Sequence, residues 1–234
     1  MKSLMNQIQK LFSHTHYQKL EEKYLSHLFD SPFKGKSVLD IGCGDGKYLR
    51  LLRESCSSLT GVDMNPQQVE DLCRDGYEVF LPDTLPGERK YDILLMSHII
   101  EHMQAEALVN FMDHYLPMLK EDGRLIIITP MPGTRFWYDF THIRPYTPQS
   151  LGMMFGIINA PASLRMSNRL ILEDIRFFRD RWCTRTNRHY YPLNGGIRET
   201  MILMVNILLA GLFAISGGRL GTLASWLGTY KHRD

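Results

Sequence analysis

The chain has 234 residues, of which 44% are hydrophobic and 22% are charged. This composition is ordinary for a globular protein and excludes the disordered, collagen-like and disulfide-scaffold classes. The length predicts one domain with a large core and little chain left over for a second. Four cysteines without a C-x-x-C pair predict reduced thiols. Because the first 20 residues are too polar for a signal peptide, we expect a cytoplasmic protein.

The net charge of +2 is distributed unevenly along the chain. Residues 1–150 contain 16 basic and 20 acidic side chains, a net charge of −4. Residues 151–234 contain 11 basic and 5 acidic side chains, a net charge of +6. This asymmetry predicts that the C-terminal part of the chain faces something anionic.

The first 34 residues are expected to form a helical leader. Apolar side chains recur at helical spacing in two runs, and Pro32 and Gly35 then interrupt the pattern. The apolar positions are Leu4, Ile8, Leu11, Leu20, Tyr24 and Leu28.

The most informative stretch is residues 38–46, VLDIGCGDG. The apolar run Ser37–Ile41 predicts a short buried strand, and Lys47–Glu54 predicts a helix. Between them lie three glycines at every second position, Gly42, Gly44 and Gly46. Glycine permits positive φ and lets a ligand approach the backbone closely. A strand, a glycine turn and a helix open a nucleotide-binding α/β unit.

The turn differs from a dinucleotide fingerprint in its spacing and in its charge. It has the form G-x-G-x-G rather than G-x-G-x-x-G. It also contains Asp40 and Asp45, which are poor neighbours for a pyrophosphate and suit a cationic ligand. The stretch resembles the first motif of the class I methyltransferases that use S-adenosylmethionine (SAM). A tight turn without any ligand is the alternative interpretation.

The predicted elements alternate between strand and helix, which implies a parallel, doubly wound sheet. Further strands are predicted at Ser58–Val62, Tyr77–Leu81, Tyr91–Met96, Arg124–Ile128 and Leu170–Phe178, and helices at Gln67–Asp75 and Ala105–Leu119. The resemblance implies a Rossmann-like α/β fold, with a mostly parallel sheet and helices on both faces. We expect this domain to cover residues 35–178, followed by a basic and apolar helical extension at 179–234.

The resemblance also implies a set of cofactor-binding residues. Asp63 ends the second strand, where the family's acid binds the ribose hydroxyls; a helix N-cap is the alternative role. Asp83 stands where the family often places an acid for the adenine amino group, although its segment is also a good turn. The complete set is Asp40, Gly42, Cys43, Gly44, Gly46, Asp63, Met64, Asp83, Ser97 and His98.

The fourth strand continues into Ser97-His-Ile-Ile-Glu-His. This string resembles the "his-x-x-glu-his" element of many small-molecule SAM methyltransferases. His98, Glu101 and His102 lack the H-E-x-x-H zinc order. The inverted H-x-x-E-H order is also a zinc signature, but it needs to lie within a helix and to have a further ligand. Since this string lies at a strand-to-helix junction, we predict no metal.

Residues 131–150 form a long aromatic loop followed by a helix start at Thr147. Loops of this length inside compact domains are usually functional or disordered, and this one is too aromatic for disorder. It resembles the substrate-side loop of methyltransferases of glycan, lipid and quinone biosynthesis. His142 is the candidate general base, with hydrogen bonding that orders the loop as its alternative role. The candidate substrate residues are Asp139, Arg144 and Tyr146.

Residues 201–217 contain no charge in 17 positions, slightly short of the ~20 that a membrane-spanning helix needs. Arginines and aromatic residues precede this segment, among them Arg185 and Arg188, and Leu220, Leu223, Trp226 and Leu227 are expected to continue its apolar helical side. We therefore expect residues 176–228 to contact a membrane surface peripherally, at its cytoplasmic face. A core or homodimer-interface helix is the alternative. Residues 228–234 are too polar for a buried strand, so we expect that a seventh strand is either recruited from elsewhere or absent from the sheet.

The sequence thus predicts an enzyme that transfers a methyl group from SAM to a small-molecule, lipid-linked or glycan acceptor. The first alternative is a SAM-binding protein of the same fold without catalysis. A nucleic-acid methyltransferase is the second alternative, and we expect no nucleic-acid partner because the overall charge is near neutral.

Overall fold

The computed structural model describes residues 16–158, 166, 170–184 and 196–233. The helices are α1 (His16–Asp30), α2 (Lys47–Leu52), α3 (Pro66–Arg74), α4 (Ala105–Tyr115), α5 (Pro148–Met154) and α6 (Ile197–Ile215). The strands are β1 (Ser37–Ile41), β2 (Ser58–Val62), β3 (Glu78–Phe80), β4 (Tyr91–Ser97), β5 (Leu119–Pro130), β6 (Leu170–Asp180) and β7 (Thr222–His232). Short 3-10 helices lie at Ile100–His102, Leu116–Met118 and Phe136–Tyr138. The helix predicted at the extreme N-terminus, with Leu4, Ile8 and Leu11, lies outside the described residues.

The strands form one seven-stranded sheet in the order β3-β2-β1-β4-β5-β7-β6. The neighbours from β3 to β5 are all parallel. From β1 the chain moves outward to β2 and β3, and then returns to β4 on the other side of β1. Such a reversal of strand order opens a crevice at the carboxyl ends of the strands, where doubly wound folds bind their ligands. The predicted doubly wound, mostly parallel sheet is therefore confirmed.

The register brings the ends of the central strands to one edge of the sheet. Ile41, the last residue of β1, pairs with Val62 of β2 and with Met96 of β4. The residues that follow these three therefore emerge side by side, and they include the glycine turn, Asp63 and Ser97. The apolar run of β1 is buried on both faces, which is typical of a central parallel strand.

The seventh strand corrects a prediction made from the sequence. Residues 222–232 form β7 between β5 and β6, so the expectation that they lacked a strand and continued an apolar helix is wrong. Trp226 and Tyr230 are fully buried, and the indole N–H of Trp226 donates to the carbonyl oxygen of Tyr146. The polar residues Ser225 and Thr229 are buried too, and the Ser225 hydroxyl donates to the carboxylate of Glu21. The polar sequence led to a wrong prediction for this strand because polar groups can be buried where they find hydrogen-bond partners.

The chain forms two compact units. The larger comprises residues 22–176 and 226–234, and the smaller comprises residues 177–225 with the N-terminal residues up to Glu21. The helix predicted at 201–217 corresponds to most of α6, which is inserted before β7 and is not a terminal extension. Among the described helices, none combines the length and the apolar character needed to cross a membrane. Arg185 and Arg188 lie outside the described residues.

Candidate active site

The glycine turn follows β1 directly, and its three glycines have different reasons to be glycine. Gly42, Gly44 and Gly46 all have positive φ, at 76°, 54° and 80°. A Cβ on Gly42 would clash with the side chain of Ile99, and a Cβ on Gly46 would clash with Leu72. A Cβ on Gly44 would meet nothing within 4 Å. Gly44 therefore marks the point where a ligand has room to approach the backbone.

Asp63 ties the glycine turn to the end of β2. One carboxylate oxygen accepts a hydrogen bond from the backbone N–H of Gly44 at 2.8 Å, and the other accepts from the N–H of Asn65 at 2.9 Å. The Asn65 side chain caps α3 by accepting from Gln67 at 3.1 Å. Asp63 is thus not the cap of this helix. It shapes the turn beside the predicted cofactor.

Asp40 is a buried acid that lacks a partner for one oxygen. Its side chain lies in the middle of the sheet at 1% exposure, and Oδ2 has no hydrogen-bond partner among the described residues. Burial, followed by the nearby Asp63 carboxylate, raises the pKa of Asp40 to about 7. An unpartnered buried carboxyl group is costly, so it favours a cationic partner. The ammonium group of an amino-acid ligand has that charge.

The other predicted cofactor residues lie around the same edge of the sheet or at the surface. Cys43 is buried, and burial raises the pKa of its thiol well above the ordinary range, so this residue packs as a neutral group. Ser97 is buried at the end of β4, and its hydroxyl oxygen has no partner in the described part of the chain. Met64 is 83% exposed and Asp83 is exposed.

His98 adopts a left-handed conformation directly after β4. Its φ of 52° is unusual for a residue other than glycine. The conformation is held by a 2.8 Å hydrogen bond from the backbone N–H to the carbonyl oxygen of Ile128. Nδ1 of the ring lies 3.2 Å from Oε1 of Glu101. Strained backbone of this kind clusters at functional sites.

Glu101 is a fully buried carboxylate at the centre of a polar cluster. Its Oε2 accepts a hydrogen bond from the Thr129 hydroxyl at 3.0 Å. Its backbone carbonyl accepts from the N–H groups of Ile143 and Arg144, at 2.9 and 3.2 Å. These bonds attach the long loop after β5 to the segment after β4. The loop predicted to face the substrate is therefore anchored at the carboxyl end of the sheet.

His142 lies in this cluster, with Nδ1 hydrogen-bonded to the loop and Nε2 facing the carboxylates of Glu101 and Asp139. Nδ1 lies 2.7 Å from the carbonyl oxygen of Phe136, which can only accept, so Nδ1 carries the hydrogen. Nε2 lies 4.0 Å from Oε1 of Glu101 and 3.8 Å from Oδ2 of Asp139. Hydrogen bonds from Thr141 hold the pKa of Asp139 below its ordinary value. His142 can therefore order the loop through Nδ1 while Nε2 faces the two carboxylates.

His102 completes the cluster from the other side. Its Nδ1 lies 3.1 Å from the carbonyl oxygen of Thr141, and its ring centroid lies 4.9 Å from that of His142. One ligand atom from each of Glu101, His102 and His142 lies within 4.8 Å of the others. The sequence did not predict a site role for Glu101 or His102. The sequence signal for such a role was the H-x-x-E-H string together with His142 in the loop after β5.

The remaining substrate candidates are separated by the structure. Tyr146 is 4% exposed and belongs to the hydrophobic core, and its hydroxyl donates to the carbonyl oxygen of Met103 at 2.9 Å. Arg144 is exposed, with its guanidinium 5.7 Å from the centre of the Tyr146 ring. Asp139 alone of the three lies beside His142.

The fold and the turn define the class of this protein. A parallel sheet with this strand order, an open glycine turn and an acid at the tip of β2 characterise the SAM-dependent class I methyltransferases. The chain belongs to the family described as "methyltransferase domain", whose model matches residues 12–158. The cofactor is therefore SAM. The unpartnered oxygen of Asp40 and the open space at Gly44 fit the amino-acid end of that cofactor.

Solved structures of low sequence identity share this fold. A SAM-dependent methyltransferase from Archaeoglobus fulgidus matches with a TM-score of 0.57 and 22% identity, over 91% of this chain and 93% of that one. The N-methyltransferase NodS from Bradyrhizobium japonicum, in complex with S-adenosylhomocysteine, matches with a TM-score of 0.60 and 12% identity, over 95% and 91%.

Curated relatives with assigned activities fall into two groups. An ubiquinone biosynthesis O-methyltransferase of Pelagibacter ubique is 29% identical over 43% of this chain and 44% of its own length. The enzyme of the same name from Idiomarina loihiensis is 24% identical over 75% of this chain and 74% of its own. A tRNA U34 carboxymethyltransferase of Photobacterium profundum is 27% identical over 46% of this chain and 36% of its own. Several matches thus span less than half of the relative, and they differ in acceptor.

Proposed function

We propose that this methyltransferase acts on a hydroxyl oxygen of a small-molecule, lipid-linked or glycan acceptor. The observation that carries the proposal is the inward-facing Nε2 of His142 beside two carboxylates, at the carboxyl end of β4 and β5. A hydroxyl group must lose its proton as it is methylated. His142 accepts that proton, and Glu101 and Asp139 stabilise the imidazolium that results.

The remaining residues bind and align the reactants. SAM, when bound, supplies an electrophilic methyl group on a sulfonium centre. Asp40 and the Gly44 turn hold the amino-acid end of the cofactor, Asp63 holds its ribose, and Ser97 and His98 lie beside it. Asp139, beside His142, faces the acceptor. Alignment of two bound reactants supplies much of the acceleration in such a displacement.

The test compares His142→Ala with His27→Ala, which removes an exposed histidine on α1. Turnover of labelled SAM with a lipid and small-molecule extract should fall by about a hundredfold or more in His142→Ala, the usual contribution of a general base. SAM affinity measured by calorimetry should stay unchanged in both variants. Near-normal turnover in a folded His142→Ala protein would leave the histidine only its loop-ordering contact and would overturn its role as the base.

Two sets of relatives bear on the acceptor. The ubiquinone O-methyltransferases support a lipid-like small molecule, whereas the tRNA methyltransferases support a nucleic acid as the second candidate. We favour the first because the net charge is only +2 and because the smaller unit exposes apolar surface. Product analysis after incubation with a lipid extract or with total tRNA separates the two. Binding of SAM without any product would instead indicate the catalytically inactive alternative.

The exposed apolar surface of α6 supports peripheral contact with a membrane. Ile197, Leu208 and Ile215 are 84%, 68% and 88% exposed. The exposed Arg198 lies in the first turn of the helix, and the exposed Arg219 follows its end. Exposed apolar surface with basic side chains nearby favours contact with an anionic bilayer. This contact would place the protein at the cytoplasmic face of a membrane, next to a lipid-linked acceptor.

Substitution of a single exposed residue tests the membrane contact without removing β7. Leu208→Glu should reduce sedimentation with vesicles containing an anionic phospholipid by severalfold, because it places a charge in the apolar face. Asn110→Glu introduces the same charge at an exposed position of α4 and should have no effect. Equal sedimentation of both variants and wild type would contradict the contact. A concentration-dependent dimer that Leu208→Glu disrupts would support the homodimer interface instead.

A further inference from the structure

Three side chains that can bind a metal ion lie together in the cluster of Glu101, His102 and His142. The carbonyl oxygens of Phe136 and Thr141 can only accept, so the Nδ1 atoms of His142 and His102 both carry hydrogen. The Thr141 hydroxyl also lies 3.1 Å from Nδ1 of His102, but its own hydrogen is donated to Asp139. In the neutral rings, both Nε2 atoms therefore present a lone pair. The carboxylate of the buried Glu101 supplies the third, and one ligand atom from each of the three residues lies within 4.8 Å of the others.

The spacing of these atoms suits an ion better than a direct hydrogen bond. Nε2 of His142 is 4.0 Å from Oε1 of Glu101 and 3.8 Å from Oδ2 of Asp139, both too long for a hydrogen bond. A transition-metal ion binds imidazole nitrogen and carboxylate oxygen at about 2.0–2.2 Å, so two ligands of one ion stand up to roughly 4 Å apart. The separations of up to 4.8 Å would therefore have to shorten slightly when an ion binds. A cation between these atoms would also relieve the repulsion among their lone pairs.

The surroundings orient these groups as the outer residues of a metal site do. Histidine ligands usually donate their second N–H to a backbone carbonyl or a carboxylate, which fixes the ring and its tautomer. His102 and His142 both do so. The second oxygen of Glu101 is fixed by the Thr129 hydroxyl at 3.0 Å. Asp139, whose other oxygen accepts from the Thr141 hydroxyl at 2.6 Å, is close enough to supply a fourth ligand.

We propose that Glu101, His102 and His142 bind one divalent transition-metal ion, with open positions that face the acceptor. Two imidazoles and one carboxylate suit zinc, iron, cobalt or nickel better than magnesium or calcium. The prediction of no metal from the sequence rested on the string 98–102 lying at a strand-to-helix junction, whereas the zinc signature needs a helix and a further ligand. The fold supplies that ligand as His142 from the following loop.

This inference rests on the proposed function and changes the part played by His142. In the metal-free protein, Nε2 takes the acceptor proton. In the metal-loaded protein, Nε2 is occupied, and the acceptor hydroxyl, made more acidic by the cation, loses its proton to water. In both cases the O–H bond breaks, an O–CH3 bond forms, and the C–S bond breaks to leave a neutral thioether.

The test uses the full chain, freed of metal by chelation and titrated with CoCl2 alone. Calorimetry and visible absorption should show one Co²⁺ per chain, with the absorption expected of imidazole ligands. His102→Gln should weaken Co²⁺ affinity by at least tenfold, since even the outer residues of metal sites contribute that much. His114→Gln changes an exposed histidine on α4 and should bind as wild type. No Co²⁺ binding to wild type, or equal binding to His102→Gln, would overturn the proposal.

Turnover separates failure of this inference from failure of the proposed function. If His142 acts only as a base, His102→Gln should retain near-normal turnover and chelation should not inhibit, which overturns the metal proposal and leaves the methyl transfer intact. If the metal is used, His102→Gln and chelation should both reduce turnover while SAM affinity stays unchanged, and added Co²⁺ should restore the chelated wild type only. Co²⁺ binding with no methylated product from any extract would uphold the site and overturn the proposed function.

Discussion

The two sides of the active site are built in different ways. On the cofactor side, a single turn after β1 sets the geometry through three positive-φ glycines, braced by Asp63 from the next strand. On the acceptor side, side chains that are distant in the chain set the geometry, such as His102 and the carbonyl of Thr141, which are 39 residues apart. The cofactor side is therefore encoded by local backbone conformation, and the acceptor side by tertiary contacts. Substitutions should accordingly affect SAM affinity on one side and turnover on the other.

The largest effect expected on the cofactor side is that of Asp63→Ala. This change removes the hydrogen bonds to Gly44 and Asn65 together with the proposed ribose contact. Hydrogen bonds to a charged group contribute roughly 1.5–3 kcal/mol each, so SAM affinity measured by calorimetry should fall at least tenfold. The control is Asp75→Ala, an exposed acid at the end of α3. Unchanged affinity in a folded Asp63→Ala protein would reject the role of Asp63.

A smaller effect is expected from the titration of Asp40. In the free protein its pKa is raised to about 7, so the carboxyl is largely protonated at pH 6 and is ionised as the pH rises. A cationic ligand group prefers the ionised form. SAM affinity should therefore increase severalfold between about pH 6 and 7, where an α-amino group is still largely protonated.

The matching variant is Asp40→Asn, which cannot ionise. Its SAM affinity should be lower than that of wild type at pH 7.5 and should be flat over the same pH range. A wild-type affinity that does not change with pH, or an Asp40→Asn protein with the wild-type profile, would show that Asp40 does not face the cationic end of the cofactor.

The smallest expected effect comes from two glycines that have space for a Cβ, Gly44 and Gly76. Gly44 and Gly76 both have positive φ, and a Cβ added at either would have no atom within 4 Å. An alanine in this conformation costs about 1–2 kcal/mol, so Gly44→Ala and Gly76→Ala should lower the free energy of unfolding equally. Only Gly44→Ala should weaken SAM binding, because only that Cβ occupies the space kept for the cofactor. Equal SAM affinity in the two variants would contradict this assignment.

Local patterns were sufficient to predict the elements that form the cofactor side. β1 and β2 have the predicted bounds, and β4 exceeds its prediction by one residue. These strands are short apolar runs followed by turn residues, and their partners in the sheet follow from parallel topology. The sequence left open whether Asp63 or Asn65 caps α3, and the cap is Asn65.

The acceptor side and β7 could not be predicted in the same way. Tyr146 was expected to face the substrate, yet its ring lies in the core, because nothing local shows which way a loop residue turns. The cluster around Glu101 depends on the loop after β5 folding back onto the segment after β4. The polar character of β7 concealed a buried strand whose side chains find partners only in the folded protein.

The most direct test of the central claim is product formation from methyl-labelled SAM in a lipid and small-molecule extract, followed by mass spectrometry. Wild type and His142→Ala should bind SAM equally, because the cofactor side is independent of the acceptor cluster. Wild type should yield a labelled O-methyl product, and the amount formed by His142→Ala should be smaller by a factor of about a hundred or more. Equal amounts of labelled product from both proteins would contradict the division of the site into a cofactor side and an acceptor side.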